Sequence, residues 1–206
     1  MSDTNPRDRA AIVATGKRLA YFTVIWNLLE GFVSLIAGLL AGSISLVGFG
    51  LDSFIEVASG LTVLWRMNVD HDLEARKRND DLALRLIGYS FLALAAWLIF
   101  ESTSSFIDEK APDRTIAGIV IAALSMIVMP ILSRAKRKVA SQLGSGAMNA
   151  DAKQTDFCAY LSAIVLTSVL LNFFLGWWWA DPVAGAIMAV IIGKEGISPS
   201  LDKNCC

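Results

Sequence analysis

Apolar runs set the framework of this chain, and charged clusters separate them at wide intervals. Between Arg18 and Arg66 the only charged residues are Glu30, Asp52 and Glu56. Thr115–Ser133 is an uncharged run of 19 residues and Phe157–Ala180 one of 24. An apolar helix of about 20 residues matches a hydrocarbon core about 30 Å thick. A helix on a soluble core would show a polar face, and these runs do not. The pattern predicts spans over Leu19–Ala41, from the Gly42–Ser43 turn to about Trp65, over roughly Leu82–Phe100, and over about Thr115–Ser133. The remaining apolar run must hold two helices and a turn, yet residues 182–193 alone are too short to cross. A sixth span therefore starts near Trp177, with Trp177, Trp178 and Trp179 as an interfacial belt. The fifth must then start near Ala147, which carries Asp151, Gln154, Asp156 and Cys158 to membrane depth.

Charge placement orients these spans. Arg7, Arg9, Lys17 and Arg18 precede the first; Arg66, Arg76, Lys77, Arg78 and Arg85 lie around the second-to-third connection; Arg134, Lys136, Arg137 and Lys138 follow the fourth. The opposite side has only Lys110 and Arg114. The bias of Lys and Arg toward the cytoplasm puts both termini there. The expected fold is an all-α membrane protein, a six-transmembrane-helix bundle, in a bacterial cytoplasmic (inner) membrane. Its parts are a cytoplasmic N-terminal segment 1–18, a membrane domain 19–193 and a short cytoplasmic tail 194–206. A formal net charge of −1 gives no basic footprint for nucleic acid. No cleavable signal peptide is expected, because the first 18 residues are polar and the apolar run after them is too long.

The charged residues left inside these runs carry the chemistry. A carboxylate at the bilayer centre costs about 2.5–3.5 kcal/mol on insertion scales. Asp52 and Glu56 are four residues apart and share one helical face. Such a pair shares a proton or holds a cation; the alternative is two protonated acids hydrogen-bonded within the bundle. On the fifth span Asp151, Gln154 and Cys158 fall on one arc, while Asp156 points away and is placed to pair with Lys153. Facing each other, the second and fifth spans would offer Asp52, Glu56, Gln154 and Cys158 to one centre. A mixed oxygen and sulfur set suits a tetrahedral divalent ion such as Zn²⁺ or Cd²⁺. A buried Cys read alone is more often a small hydrophobe than a ligand; the four-residue spacing of Cys158 from Gln154 brings the two readings near to even. Asn27 and Glu30 share a face of the first span, either supporting the ligands and relaying protons, as Asp151 would, or joining helices by a hydrogen bond. Gly38-x-x-x-Gly42 allows close helix packing, and Gly48 and Gly50 leave room for the fifth span to approach. His71, among Asp70, Asp72 and Glu74, is either a loading site for metal or part of a solvated loop. Cys205 and Cys206 are metal-capturing, acylated or inert.

Taken in order, these features resemble the transmembrane domain of the cation diffusion facilitator family. GSISLVGFGLDSFIE is similar to the family's second-span motif, NADAKQTDFCAYLS to its fifth-span motif with the Asp151-Ala152 lead-in, and WADPVAGAIMAVIIGKEG to its entry into the sixth span. The resemblance covers about residues 12–196. It implies a proton-coupled efflux carrier for a divalent transition metal, zinc first, with Cd²⁺, Co²⁺, Mn²⁺ and Fe²⁺ as other substrates. It places Asp52 and Glu56 at ligand positions, Gln154 where the family has His or Asp, and Cys158 where it has Asp. Protons and the metal are the expected partners, with no prosthetic group and a homodimer formed through the membrane helices. Three departures stand out: no His lies in any span, Gln is a weak zinc ligand at position 154, and the sequence ends about ten residues after the sixth, without the family's cytoplasmic metal-binding and dimerising domain. The rival expectation is a non-transporting metal sensor or regulatory membrane protein. An enzyme is not expected, since the paired acids lack a nucleophile–base partner.

Overall fold

The computed structural model describes residues 6–68, 73–143 and 146–201, and their regular structure is helical throughout. The elements are α1 (Pro6–Ala41), α2 (Ile44–Asn68), α3 (Leu73–Ile107), α4 (Ile116–Leu143), α5 (Gly146–Leu175) and α6 (Ala180–Leu201). The first five are long and apolar enough to cross a membrane. The sixth, 22 residues long, also has the length but carries Asp181, Lys194 and Glu195. The early start expected for the fifth helix is present, at Gly146. The three tryptophans form the α5–α6 turn rather than the first turn of α6, with Trp177 and Trp179 stacked at 5.0 Å. The last helix continues past Gly193 to Leu201.

Two helix ends show why the turns are where they are. Gly42 adopts a φ of +65°, and the Ser43 amide bonds back to the Gly38 carbonyl at 2.9 Å, a Schellman-type stop. Gly176 ends α5 in the simpler αL manner, with φ +66° and its own amide donating to the Asn172 carbonyl at 3.0 Å. At helix starts, Ser43 caps α2 and Thr115 caps α4 through their hydroxyls, accepting from the Leu46 and Gly118 amides.

Packing follows a simple plan. Helix α1 packs on α2 and α4, α5 packs on α4 and α2, and these four form a closed core. Helices α3 and α6 pair with each other and lie against α2, with α6 also touching α5. The seam of α1 is small and polar: Ala20, Thr23, Asn27, Glu30, Ser34, Ala37 and Ala41 are all buried at alternating three- and four-residue spacing. Its other face, including Ile25, Leu29, Phe32 and Leu40, is exposed. This inversion is what lipid as solvent requires: apolar side chains face outward, and small residues let helices approach inside.

The glycines correct one sequence-based reading. A Cβ on Gly50 would lie 2.8 Å from the Leu35 amide nitrogen and 3.0 Å from the Gly31 carbonyl, so Gly50 admits α1. A Cβ on Gly48 would meet Leu98 of α3 at 2.6 Å. Neither glycine faces α5. Of the Gly38–Gly42 pair, Gly38 packs on Val47 of α2 and Gly42 makes the turn.

Candidate functional site

The carboxylate that ties the core together is Glu30. It is fully buried and accepts hydrogen bonds from all four core helices. Trp26 Nε1 on α1 donates at 2.8 Å to Oε2, and Ser53 Oγ on α2 donates at 2.8 Å to Oε1. The Ser125 hydroxyl on α4 donates to Oε2, and the Cys158 thiol on α5 donates to Oε1 at 3.4 Å. Four donors around one buried carboxylate offset part of its desolvation penalty. Of the two alternatives left open for Glu30, the helix-joining contact is therefore present. Asn27, one turn away and also buried, has no hydrogen-bond partner at either amide atom.

One turn further along α2, Glu56 belongs to a second network. Its Oε1 accepts from Thr155 Oγ1 at 2.7 Å, and its buried Oε2 has no hydrogen-bond partner. The same Thr155 hydroxyl lies 2.8 Å from Lys136 Nζ, and Lys136 is fully buried. Lys136 Nζ also forms an ion pair with Asp151 Oδ2 at 2.8 Å, both side chains being almost completely enclosed. Helices α2, α4 and α5 thus meet in a chain that runs Glu56, Thr155, Lys136, Asp151.

Asp52 faces a third environment. With Gln154 and Glu195 it lines a narrow cavity among α2, α3, α5 and α6, otherwise walled by Phe91, Phe157, Leu161, Ile191 and Ile192. Gln154 Nε2 is buried without a partner.

The four expected ligands are thus all at the α2–α5 contact but distributed. Asp52 and Gln154 share a cavity, Glu56 is held by Thr155, and Cys158 is held by Glu30. Among the described residues no group of three or more His, Cys, Asp and Glu side chains converges on one point. Asp156 does not pair with Lys153; Arg137 of α4 reaches it across the helix contact. His71, Cys205 and Cys206 lie outside the described residues.

Three positions in the buried polar networks escaped the sequence reading. Lys136 sits in a basic cluster that looks like a solvated loop, but α4 continues through it, and the helical repeat turns Lys136 inward while Arg134 and Lys138 turn out. Thr155 lies one residue beyond Gln154 and carries no charge to flag it. Asp181, at the start of α6, accepts from Ser43 Oγ at 2.7 Å, the Ile44 amide at 2.7 Å and Ser45 Oγ at 2.6 Å. It caps the N-terminus of α2 from another helix, an anion placed at the positive end of a helix dipole. The Ser-x-Ser of GSISL was the available signal.

Comparison with known proteins agrees with this architecture. Residues 20–201 match the family model of the cation efflux transmembrane domain. The chain is 22% identical over 169 residues to the cation-efflux pump FieF of Shewanella oneidensis, covering 79% of this chain and 57% of that protein. An uncharacterized transporter of Methanocaldococcus jannaschii is 29% identical over 189 residues, covering 84% of this chain and 62% of that protein. A Synechocystis transporter, also uncharacterized, is 25% identical over 155 residues, covering 70% and 48%. The chain spans about half to three fifths of the length of these relatives.

Proposed function

Because the chain belongs to the cation efflux transmembrane-domain family, we propose that it exports a divalent transition metal, zinc first, in exchange for protons. The observation that carries this reading is the burial of Asp52 and Glu56 on one face of α2, against α5, at a depth where unused carboxylates are costly. Gln154 shares the Asp52 cavity, and the unpartnered Glu56 Oε2 and Gln154 Nε2 leave polar atoms of the α2–α5 contact unsatisfied. Metal enters between α2 and α5 from the cytoplasm, the bundle rocks to open the other way, and protons returning to the carboxylates displace the ion. Metal and proton compete for the same lone pairs, and alternating access around a mid-membrane site is how such carriers couple the two.

The test is metal uptake into proteoliposomes across Zn²⁺, Cd²⁺, Co²⁺, Mn²⁺ and Fe²⁺, with and without a pH gradient. The reading expects saturable flux that dissipates the gradient. A second reading, metal sensing without flux, draws support from Cys158 donating to Glu30 rather than joining the Asp52 cavity. It expects metal binding with no gradient-driven flux, so the same assay separates the two.

A further inference from the structure

Lys136 is the one Lys or Arg that is buried among the described residues whose environment is assigned. A buried ion pair is a weak source of stability, because desolvation offsets most of the attraction. The Lys136–Asp151 pair is also asymmetric with respect to the candidate site. Its positive end contacts Thr155 Oγ1, which in turn contacts Glu56 Oε1. Its negative end, Asp151, holds the ammonium through Oδ2, and its Oδ1 has no hydrogen-bond partner. The ammonium is thus the end of the pair whose side-chain contacts lead, through Thr155, to one of the two proposed ligands.

We propose that Lys136 is a tethered counter-cation of the transport site, its ammonium lowering the affinity for a divalent ion by acting on Glu56 through Thr155. This inference rests on the reading of Asp52 and Glu56 as ligands. The physical consequence is direct. The ammonium stabilises the empty site by supplying one positive charge beside its carboxylates. An incoming divalent ion is repelled by that charge twice as strongly as a monovalent one at the same place. Asp151 attenuates the repulsion by pairing with Lys136. The site therefore binds its ion weakly enough to release it, which a carrier needs at the end of each half-cycle.

Opposite substitutions test this, because their effects have opposite sign. Zn²⁺ and Cd²⁺ dissociation constants are measured by titration calorimetry on the full chain in nanodiscs at fixed pH and salt. Lys136→Met is expected to tighten Zn²⁺ binding by about tenfold or more, since it deletes a unit charge in a poorly screened site. Asp151→Asn is expected to weaken binding severalfold, since it leaves the cation uncompensated. A pair that only holds α4 to α5 would shift both variants the same way or neither, and either result overturns the proposal. If Lys136→Met does not fold, Asp151→Asn alone decides: unchanged or tighter binding sinks the idea. Wild-type protein that binds neither metal removes the ligand reading itself, whereas wild-type binding with unmoved variants removes only the role of Lys136.

Discussion

Glu30, Asp52 and Glu56 illustrate how three acids of similar burial acquire different duties from their neighbours. Glu30 is saturated by donors from four helices, whereas Glu56 has one bonded and one free oxygen, and Asp52 faces a cavity. Mutational effects should separate accordingly. Asp52→Asn is expected to reduce metal-driven proton exchange in proteoliposomes by about 100-fold or more while leaving the melting curve in detergent nearly unchanged, because charge is lost but shape is kept. Glu30→Ala should instead unfold the protein readily, by about 3 kcal/mol or more, since four buried donors lose their acceptor at once. A Glu30→Ala protein as stable as wild type would show that the four contacts carry little weight.

At the level of elements, α2 is held by backbone proximity on one side and by a borrowed cap at its start. Gly50 touches α1 backbone, which cannot retreat, whereas Gly48 touches only the tip of Leu98. Gly50→Ala should therefore cost about 1–3 kcal/mol, and Gly48→Ala less, in a comparison of unfolding midpoints. Asp181→Ala removes three acceptor contacts from Ser43, Ile44 and Ser45. About 3 kcal/mol of destabilisation is expected from charge-assisted bonds of this number and burial, with Asp181→Asn recovering part of it. Equal melting of the Ala and Asn variants would contradict a cap that acts through hydrogen bonding.

On the scale of the whole molecule, the exposed apolar faces and the polar seam describe a body built for lipid, and the topology makes a direct prediction. Lys110, exposed in the α3–α4 connection, should react with a membrane-impermeant amine reagent added outside intact cells, while Lys138, exposed near the end of α4, should not. Labelling of Lys110 only after cells are opened would invert the orientation. Much of this body was legible in the sequence. Helix number and type followed from apolar length, because a continuous apolar run of about 20 residues satisfies its own backbone in lipid as a helix, whereas a closed barrel would show shorter, alternating segments. The early start of α5 followed from the distance needed to cross, and Asp52 and Glu56 stood out because charge is scarce there. Other features depended on which helices touch. The polar partners of Glu30 are a tryptophan, two serines and a cysteine from four helices, none distinctive alone. The inward turn of Lys136, the pairing of Asp156 with Arg137, and the service of Gly48 and Gly50 to α3 and α1 are likewise properties of neighbours. Periodicity along one helix says which residues share a face; only the tertiary packing decides which helix that face meets, because side-chain bonding and close approach are settled between elements and leave no repeat within either one.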